Sequence, residues 1–192
     1  MADKTLSPWT VTSSRRIHDD PWLKVRAESC VSAGGVEITP YYVLDYPDWV
    51  QVVALDPEGN LILVKQYRHG LGAVSVELPA GGMEPEDRDP IAAAARELAE
   101  ETGYRSDDLK LVGTLSPNPA THSNRIHTVL ALDARPVGPA TPDHTEEIAV
   151  MLLPVAQAVP FALSGGMVTA LHLGSLVTGL QAAGRLTLQF RD

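Results

Sequence analysis

Cysteine occurs once in this 192-residue chain, at Cys30, so no intrachain disulfide can form, and the composition fits a reducing compartment. Basic residues are also in short supply. Fifteen Lys and Arg face 24 Asp and Glu, a net charge of −9, and the isoelectric point lies near 5.0. That balance argues against a nucleic-acid or anionic-membrane surface, and no basic stripe interrupts it. No apolar run reaches the roughly 18 residues that a bilayer-spanning helix requires. No apolar segment follows Met1-Ala2-Asp3-Lys4 as it would in a signal peptide. Internal repeats and low-complexity blocks are missing too. What is present is 44% hydrophobic residues, enough for one sizeable core. The expectation is a soluble, cytoplasmic protein.

The stretch that carries chemistry runs from Glu77 to Tyr104, ELPAGGMEPEDRDPIAAAARELAEETGY. Near its end, Arg96-Glu97-Leu98-Ala99-Glu100-Glu101 places four charged side chains within six residues. On a helix Glu97 and Glu101 are i and i+4, and like charges at that spacing cost a few tenths of a kcal/mol. Glu100 adds repulsion at i+3 from Glu97, and Arg96, i−4 from Glu100, relieves part of it. A divalent cation would turn this liability into a site, because hard ions such as Mg²⁺ take carboxylate oxygens together with substrate phosphates.

The helix is well signalled. Asp89 suits the N-cap and Pro90 the first helical position. Ile91, Ala94, Ala95, Leu98 and Thr102 form a mostly apolar stripe, and Gly103 is a natural stop. Ahead of it, Ala80-Gly81-Gly82-Met83-Glu84-Pro85 can bend tightly and expose carbonyl groups. A strand over Val74 to Leu78, a glycine loop and a carboxylate-bearing helix therefore follow one another. A solvated acidic helix face is the bland alternative. The coincidence of loop, arginine and caps counts against it.

Elsewhere, Leu23, Val25 and Ala27 alternate with Lys24, Arg26 and Glu28 as a strand with one wet face. Ser32-Ala33-Gly34-Gly35 is a turn, and Val36 to Leu44 returns as a partner, giving a small N-terminal antiparallel β unit. Asp45-Tyr46-Pro47-Asp48 reads as a linker. Residues 1–48 are thus expected to form an accessory segment and residues 49–192 the main domain. Val50 to Leu55 and Leu61 to Tyr67 predict a hairpin around Asp56-Pro57-Glu58-Gly59-Asn60. Further strands are expected near Leu109 to Leu115, Ile126 to Leu132 and Ile148 to Leu153, after a Pro/Gly-rich loop from Pro136 to Thr145. A closing helix over Met167 to Ala183 would bury Leu173, Leu176, Val177 and Leu180, with Gly174 and Gly179 each costing about 1 kcal/mol against Ala. Strands interleaved with two long helices indicate an α/β fold, an α/β/α sandwich on a mixed sheet.

The box resembles that of the Nudix hydrolases, which runs Gly, five residues, Glu, seven residues, Arg-Glu-apolar-x-Glu-Glu-x-Gly-apolar. Arg96 through Tyr104 match its second half at every fixed position. With Gly82 as the first glycine the isolated Glu falls on Arg88. With Gly81, Asp87 supplies a carboxylate and one extra residue precedes the helix. The second register is favoured, because Leu78-Pro79-Ala80-Gly81 matches a lead-in common in the family. The resemblance implies a Nudix-type sandwich with metal at Glu97, Glu100, Glu101 and the Ala80 carbonyl. It places Arg96 behind the carboxylates, holding their rotamers.

Gln66-Tyr67-Arg68 looks like the Gln-Tyr-Arg of the ADP-ribose and nucleotide-sugar branch, where the arginine lies near the substrate diphosphate. Its planar fork suits phosphate oxygens. An exposed strand-end arginine is the alternative. His144-Thr145-Glu146-Glu147-Ile148 stands where that branch often keeps acidic residues that reach over the metals. Glu146 is the best match for a ligand or general base, Glu147 the fallback, and His144 a further proton acceptor. An ordinary turn at a strand start is the alternative here. With only two Phe in the chain, Trp9, Trp22 and Trp49 are the main flat surfaces on which a base could stack. Trp22 and Trp49 are the candidates, Trp49 favoured, although each Trp can equally pack in the small sheet. Ser116-Pro117-Asn118-Pro119-Ala120 departs from a family Ser-Pro-Gly at Asn118, which leaves the sugar open.

The resemblance implies Mg²⁺-dependent, or Mn²⁺-dependent, hydrolysis of a nucleoside diphosphate sugar, with ADP-ribose leading. GDP-mannose or dinucleoside-polyphosphate hydrolysis is the enzymatic rival, and a non-catalytic nucleotide sensor the rival of another class. It also implies a homodimer, with the N-terminal unit shared and no nucleic-acid or membrane partner.

Overall fold

The computed structural model describes residues 6–189, so the opening residues on which the signal-peptide expectation rests lie outside the described residues. The chain divides into two compact units. One comprises residues 1–47 with 116–124, the other 48–115 with 125–192.

The N-terminal unit is a three-stranded antiparallel sheet in the order β1-β2-β3. It is built from β1 (Thr10–Asp19), β2 (Lys24–Val31) and β3 (Glu37–Leu44). The alternation through Val25 and Ala27 foretells β2, whereas β1, rich in Ser, Thr and Arg, gives no apolar alternation and is missed. Ala27 and Cys30 are the buried residues of β2. The 116–124 loop joins this unit through Leu44 N–H donating to Thr121 O at 2.7 Å. Asn118 closes the loop on itself, its side chain accepting from Ala120 N–H at 3.2 Å.

The larger unit holds a seven-stranded mixed sheet. β4 (Trp49–Leu55) lies between β5 (Asn60–Arg68) and β10 (Ile126–Leu132), and β9 (Asp108–Leu115) and β12 (Ile148–Pro154) close the two sides. β6 (Ala73–Glu77) adds to β5 and the short β7 (Ala80–Gly82) to β4. Only β4 and β10 run parallel within this sheet. A two-stranded ladder pairs β8 (Tyr104–Arg105) with β11 (Arg135–Pro136), the latter at the start of the Pro/Gly-rich loop expected from Pro136 to Thr145.

Strand alternation sorts the core into two layers. Val50, Val52 and Ala54 face α1 (Pro90–Thr102), packing with Ala93, Ala94 and Leu98. Val53 and Leu55 face the opposite side, where α2 (Val155–Phe161) and α3 (Ala170–Ala182) supply Ala158, Leu176 and Leu180. The result is the α/β/α sandwich the sequence predicts.

The signals for α1 hold in detail. Asp89 accepts from Ala92 N–H at 2.8 Å, and Gly103 N–H closes the last turn on Ala99 O at 2.9 Å. Its buried stripe contains Ala93 and Glu101 in place of Ile91 and Ala95. The closing helix differs more. It starts at Ala170, not Met167, and buries His172, Ser175 and Gly179 beside Leu176 and Leu180. Gly179 is no weak point. A Cβ there would stand 2.5 Å from Val53 Cγ2, so the glycine lets α3 lie directly on β4. α2 is missed because Pro160 interrupts a stretch of only seven residues.

Candidate active site

Pairing of β7 with β4 fixes the glycine loop. Ala80, Gly81 and Gly82 stand opposite Gln51, Val50 and Trp49. The same loop is gripped from the helix side, because Glu101 accepts from Ala80 N–H at 2.9 Å. Gly81 lies so close to Glu97 that an added Cβ would fall 2.0 Å from Glu97 Oε1. Any side chain at position 81 would displace that carboxylate.

Arg96 organises the exposed end of the cluster. Its guanidinium donates to Asp87 Oδ2 at 2.9 Å, to Gly82 O at 3.0 Å, to Glu97 Oε1 at 2.9 Å and to Glu100 Oε2 at 3.1 Å. Asp87 therefore closes the loop onto the helix, as expected of the register that starts at Gly81. Arg88 is exposed and meets only Asp89, at 3.5 Å. Asp87, with the other carboxylates, holds Arg96 more firmly protonated than a free guanidinium. The extra residue before α1 is absorbed in this turn, where Glu84 N–H donates to Asp87 at 2.8 Å.

Burial governs the remaining carboxylates. It pushes Glu97 up to about 7 against the pull of Arg96. It pushes Glu101, only 3% exposed, up to about 8 against the pull of the Ala80 N–H. Glu97 shares Arg96 with Asp87 and Glu100, and Glu101 has only the Ala80 N–H. Among the described residues no three His, Cys, Asp or Glu side chains converge into a finished metal cage. The donor set still fits a hard divalent ion. It is all oxygen, and its most buried member, Glu101, accepts a backbone N–H but has no side-chain cation within ion-pair distance among the described residues.

Alongside the loop opens a cavity of about 450 Å³. Trp49, Arg68, Ala80 and Glu146 all line it, so four residues named from the sequence meet at one pocket. Glu146 also raises the pKa of Glu97 and Glu101 and steadies the charge of Arg68, which places it within electrostatic reach of all three. His144 and Glu147 are exposed and do not line the pocket. Trp22 belongs to the N-terminal unit, where it is 82% exposed.

Glu77, His172 and Gln51 are among the residues of this pocket that sequence reasoning does not single out. Glu77 takes the Arg68 fork on both oxygens, at 3.1 and 2.7 Å. Burial would raise its pKa, but Arg68 and His172 outweigh burial and leave it lowered. His172 Nδ1 accepts from Leu78 N–H at 3.0 Å, which fixes the proton on Nε2, 3.5 Å from Glu77. Burial holds this imidazole below its ordinary range, so it stays neutral. A signal for Glu77 is present in the sequence, since a lone carboxylate beside Leu78 at the buried end of a strand demands a cationic partner.

A NUDIX domain model matches residues 45–172. The chain belongs to the Nudix family. A second model, the nucleoside diphosphate sugar hydrolase N-terminal domain, matches residues 9–44. The Nudix chain is 30% identical over 166 residues to an ADP-ribose pyrophosphatase of Mycobacterium tuberculosis, covering 86% of this chain and 80% of that one. It is 29% identical over 162 residues to a CMP-5'-(N-acetyl-N-hydroxy-3-aminopropyl)phosphonate hydrolase of Streptomyces rubellomurinus, covering 84% and 77%. Its fold matches the crystal structure of an ADP compounds hydrolase with a TM-score of 0.82 at 24% identity, over 96% of this chain and all of that one. Nudix hydrolases generally use divalent metals.

A pH-dependent stability follows from the two raised carboxylates. Their ordinary value is 4.5, so between there and about 8 the folded protein binds more protons than the unfolded chain. Stability must then fall as pH rises through that window. His172 is shifted the other way and opposes the trend only below its ordinary 6.5. Metal-free protein should therefore lose Tm between about pH 6.5 and 8.5, and Mg²⁺ should raise Tm most at the upper end. Thermal unfolding in chelator and in Mg²⁺ checks this. A flat profile that Mg²⁺ does not move would remove the case for a carboxylate pair raised by burial.

Proposed function

We propose that this Nudix enzyme hydrolyses a nucleoside diphosphate sugar, with ADP-ribose the leading substrate and Mg²⁺ the metal, Mn²⁺ being able to substitute. One observation carries the reading. The buried Glu97 and Glu101 pair abuts the loop that forms one wall of the pocket holding Arg68 and Glu146. The descriptions of the N-terminal family model and of the mycobacterial relative support the same substrate class.

Glu97, Glu100 and Glu101, with the Ala80 carbonyl, would hold the metal. A bound divalent ion supplies neutralisation of the diphosphate and a water of lowered pKa. The protein supplies the rest. Arg68, already oriented by Glu77, offers its outer N–H groups to phosphate oxygens. Arg96 keeps Glu97 and Glu100 in fixed rotamers, so little reorganisation accompanies reaction. Glu146 accepts the proton of the attacking water. The new P–O bond forms as the bridging P–O bond breaks, and a nucleoside monophosphate and a sugar phosphate leave. Trp49 offers the face on which the base stacks.

Residues 1–48 serve as the accessory segment and residues 49–192 as the catalytic part. A homodimer is the assembly we favour, because β1 is exposed along its whole length and Trp9, Val11, Ile17 and Trp22 stand out from the small sheet. The acidic charge and reduced Cys30 favour cytoplasmic residence without a nucleic-acid partner. Among the described residues no helix is long and apolar enough to cross a membrane.

A panel of ADP-ribose, other nucleotide sugars, GDP-mannose and dinucleoside polyphosphates in Mg²⁺ tests the function. AMP and ribose 5-phosphate are the expected products, with light scattering reading the assembly. Preferential cleavage of GDP-mannose or a dinucleoside polyphosphate would transfer the enzyme to the rival class. Tight binding with no turnover would make it a sensor.

A further inference from the structure

Gln51 sits inside the pocket at 4% exposure, and its Oε1 has no hydrogen-bond partner. A buried amide oxygen left without a donor costs stability that an apolar residue of the same size would not. Its place in the fold says what could satisfy it. Trp49 and Gln51 are two apart on β4, so both point to the side that carries Val53, Leu55 and α3. Trp49 brings a flat ring to the pocket, and Thr169, Leu171 and His172 bring the start of α3 to its wall. Ring and amide, about 7 Å apart along one strand, line the same pocket, where a planar heterocycle can meet both.

An unpartnered carbonyl oxygen selects a donor. Adenine presents an exocyclic amine beside a ring nitrogen, and a glutamine amide pairs with both. On the N7 edge, where a glutamine amide takes adenine N6 and N7, hypoxanthine offers two acceptors, so either amide orientation sets an oxygen against an acceptor. We propose that Gln51 is the residue that reads the base, selecting adenine through its exocyclic amine while Trp49 stacks on the ring. The inference rests on the reading of the substrate as a nucleotide sugar, and goes beyond it by naming the base and the residue that discriminates. Gln51 lies outside the carboxylate cluster and touches no reacting atom.

ADP-ribose and its inosine counterpart keep the same N7 and differ at the exocyclic group and the neighbouring N1, which makes them the probe. Wild type should favour ADP-ribose by about tenfold or more in kcat/KM. Gln51→Leu and the unbranched Gln51→Met should lower kcat/KM for ADP-ribose by about 10–100-fold, through KM, and leave the inosine compound almost unchanged. Both variants should keep or raise Tm, because each removes a buried orphan oxygen. Binding of AMP against IMP, followed by calorimetry, reads the pocket without turnover. It separates a failure here from a failure of the hydrolase reading. Equal affinity of wild type for AMP and IMP would overturn the assignment, as would an undiminished adenine preference in the two folded variants. Loss of hydrolysis with the AMP preference intact would strike the hydrolase reading alone.

Discussion

Glu97→Gln and Glu101→Gln should each lower kcat by about 10²-fold or more in saturating Mg²⁺. Each substitution removes a charge and almost no volume. Glutamine at 101 can still accept the Ala80 N–H, and glutamine at 97 still fits against Gly81, so the loop keeps its shape. The second half of the expectation is thermal. Both carboxylates are destabilised by burial at neutral pH, so replacing them with neutral amides should leave metal-free Tm unchanged or higher at pH 8. Lower activity with equal or greater stability is a signature that structural damage does not produce. Steady-state kinetics and thermal unfolding of the same preparations measure both halves. Rates near wild type in both variants would end the case for a metal at α1.

Much of the fold can be read in the sequence because its elements carry local signals. Asp89, Pro90 and Gly103 bound α1 as capping rules dictate, and short, mostly apolar runs mark β4, β5 and β10. The misses have physical causes. β1 draws on pairing with β2 and not on a buried face, so hydrophobic periodicity carries no trace of it. β7 is only three residues long and exists because β4 accepts it as a partner. Gly179 counts against a helix by propensity, yet the close approach to Val53 is what demands it. No single-residue scale contains that contact.

The site divides in the same way. Glu97, Glu101 and Arg96 are legible because their like-charge spacing is unfavourable without a cation. Arg68 and Glu146 are legible by resemblance, and the fold brings both to the pocket. Glu77 and His172 come together across 95 positions of sequence, 77 to 172, through a backbone N–H at Leu78 that pins the imidazole. Gln51 is invisible for a different reason. In sequence it is one polar residue within Trp49–Leu55, and only burial with an unpartnered oxygen sets it apart.

Glu146→Gln should reduce kcat by about 10²-fold or more with a much smaller change in KM. A base acts on the attacking water, so its loss is felt in the transition state and hardly in ground-state binding. The position supports the role. Glu146 lines the pocket beside Arg68 and the Ala80 loop, and its charge is felt by Glu97 and Glu101. Its present contact is loose, a 3.4 Å bond from Asp143 N–H, so the carboxylate can be redirected without breaking a strong interaction. Glu147 and His144 are exposed on the same loop, and Glu147→Gln and His144→Ala should each cost less than about tenfold. These neighbours are the internal control, because a general loosening of the loop would slow all three variants alike. A larger loss at His144 than at Glu146 would make the imidazole the proton acceptor and return Glu146 to capping its own turn.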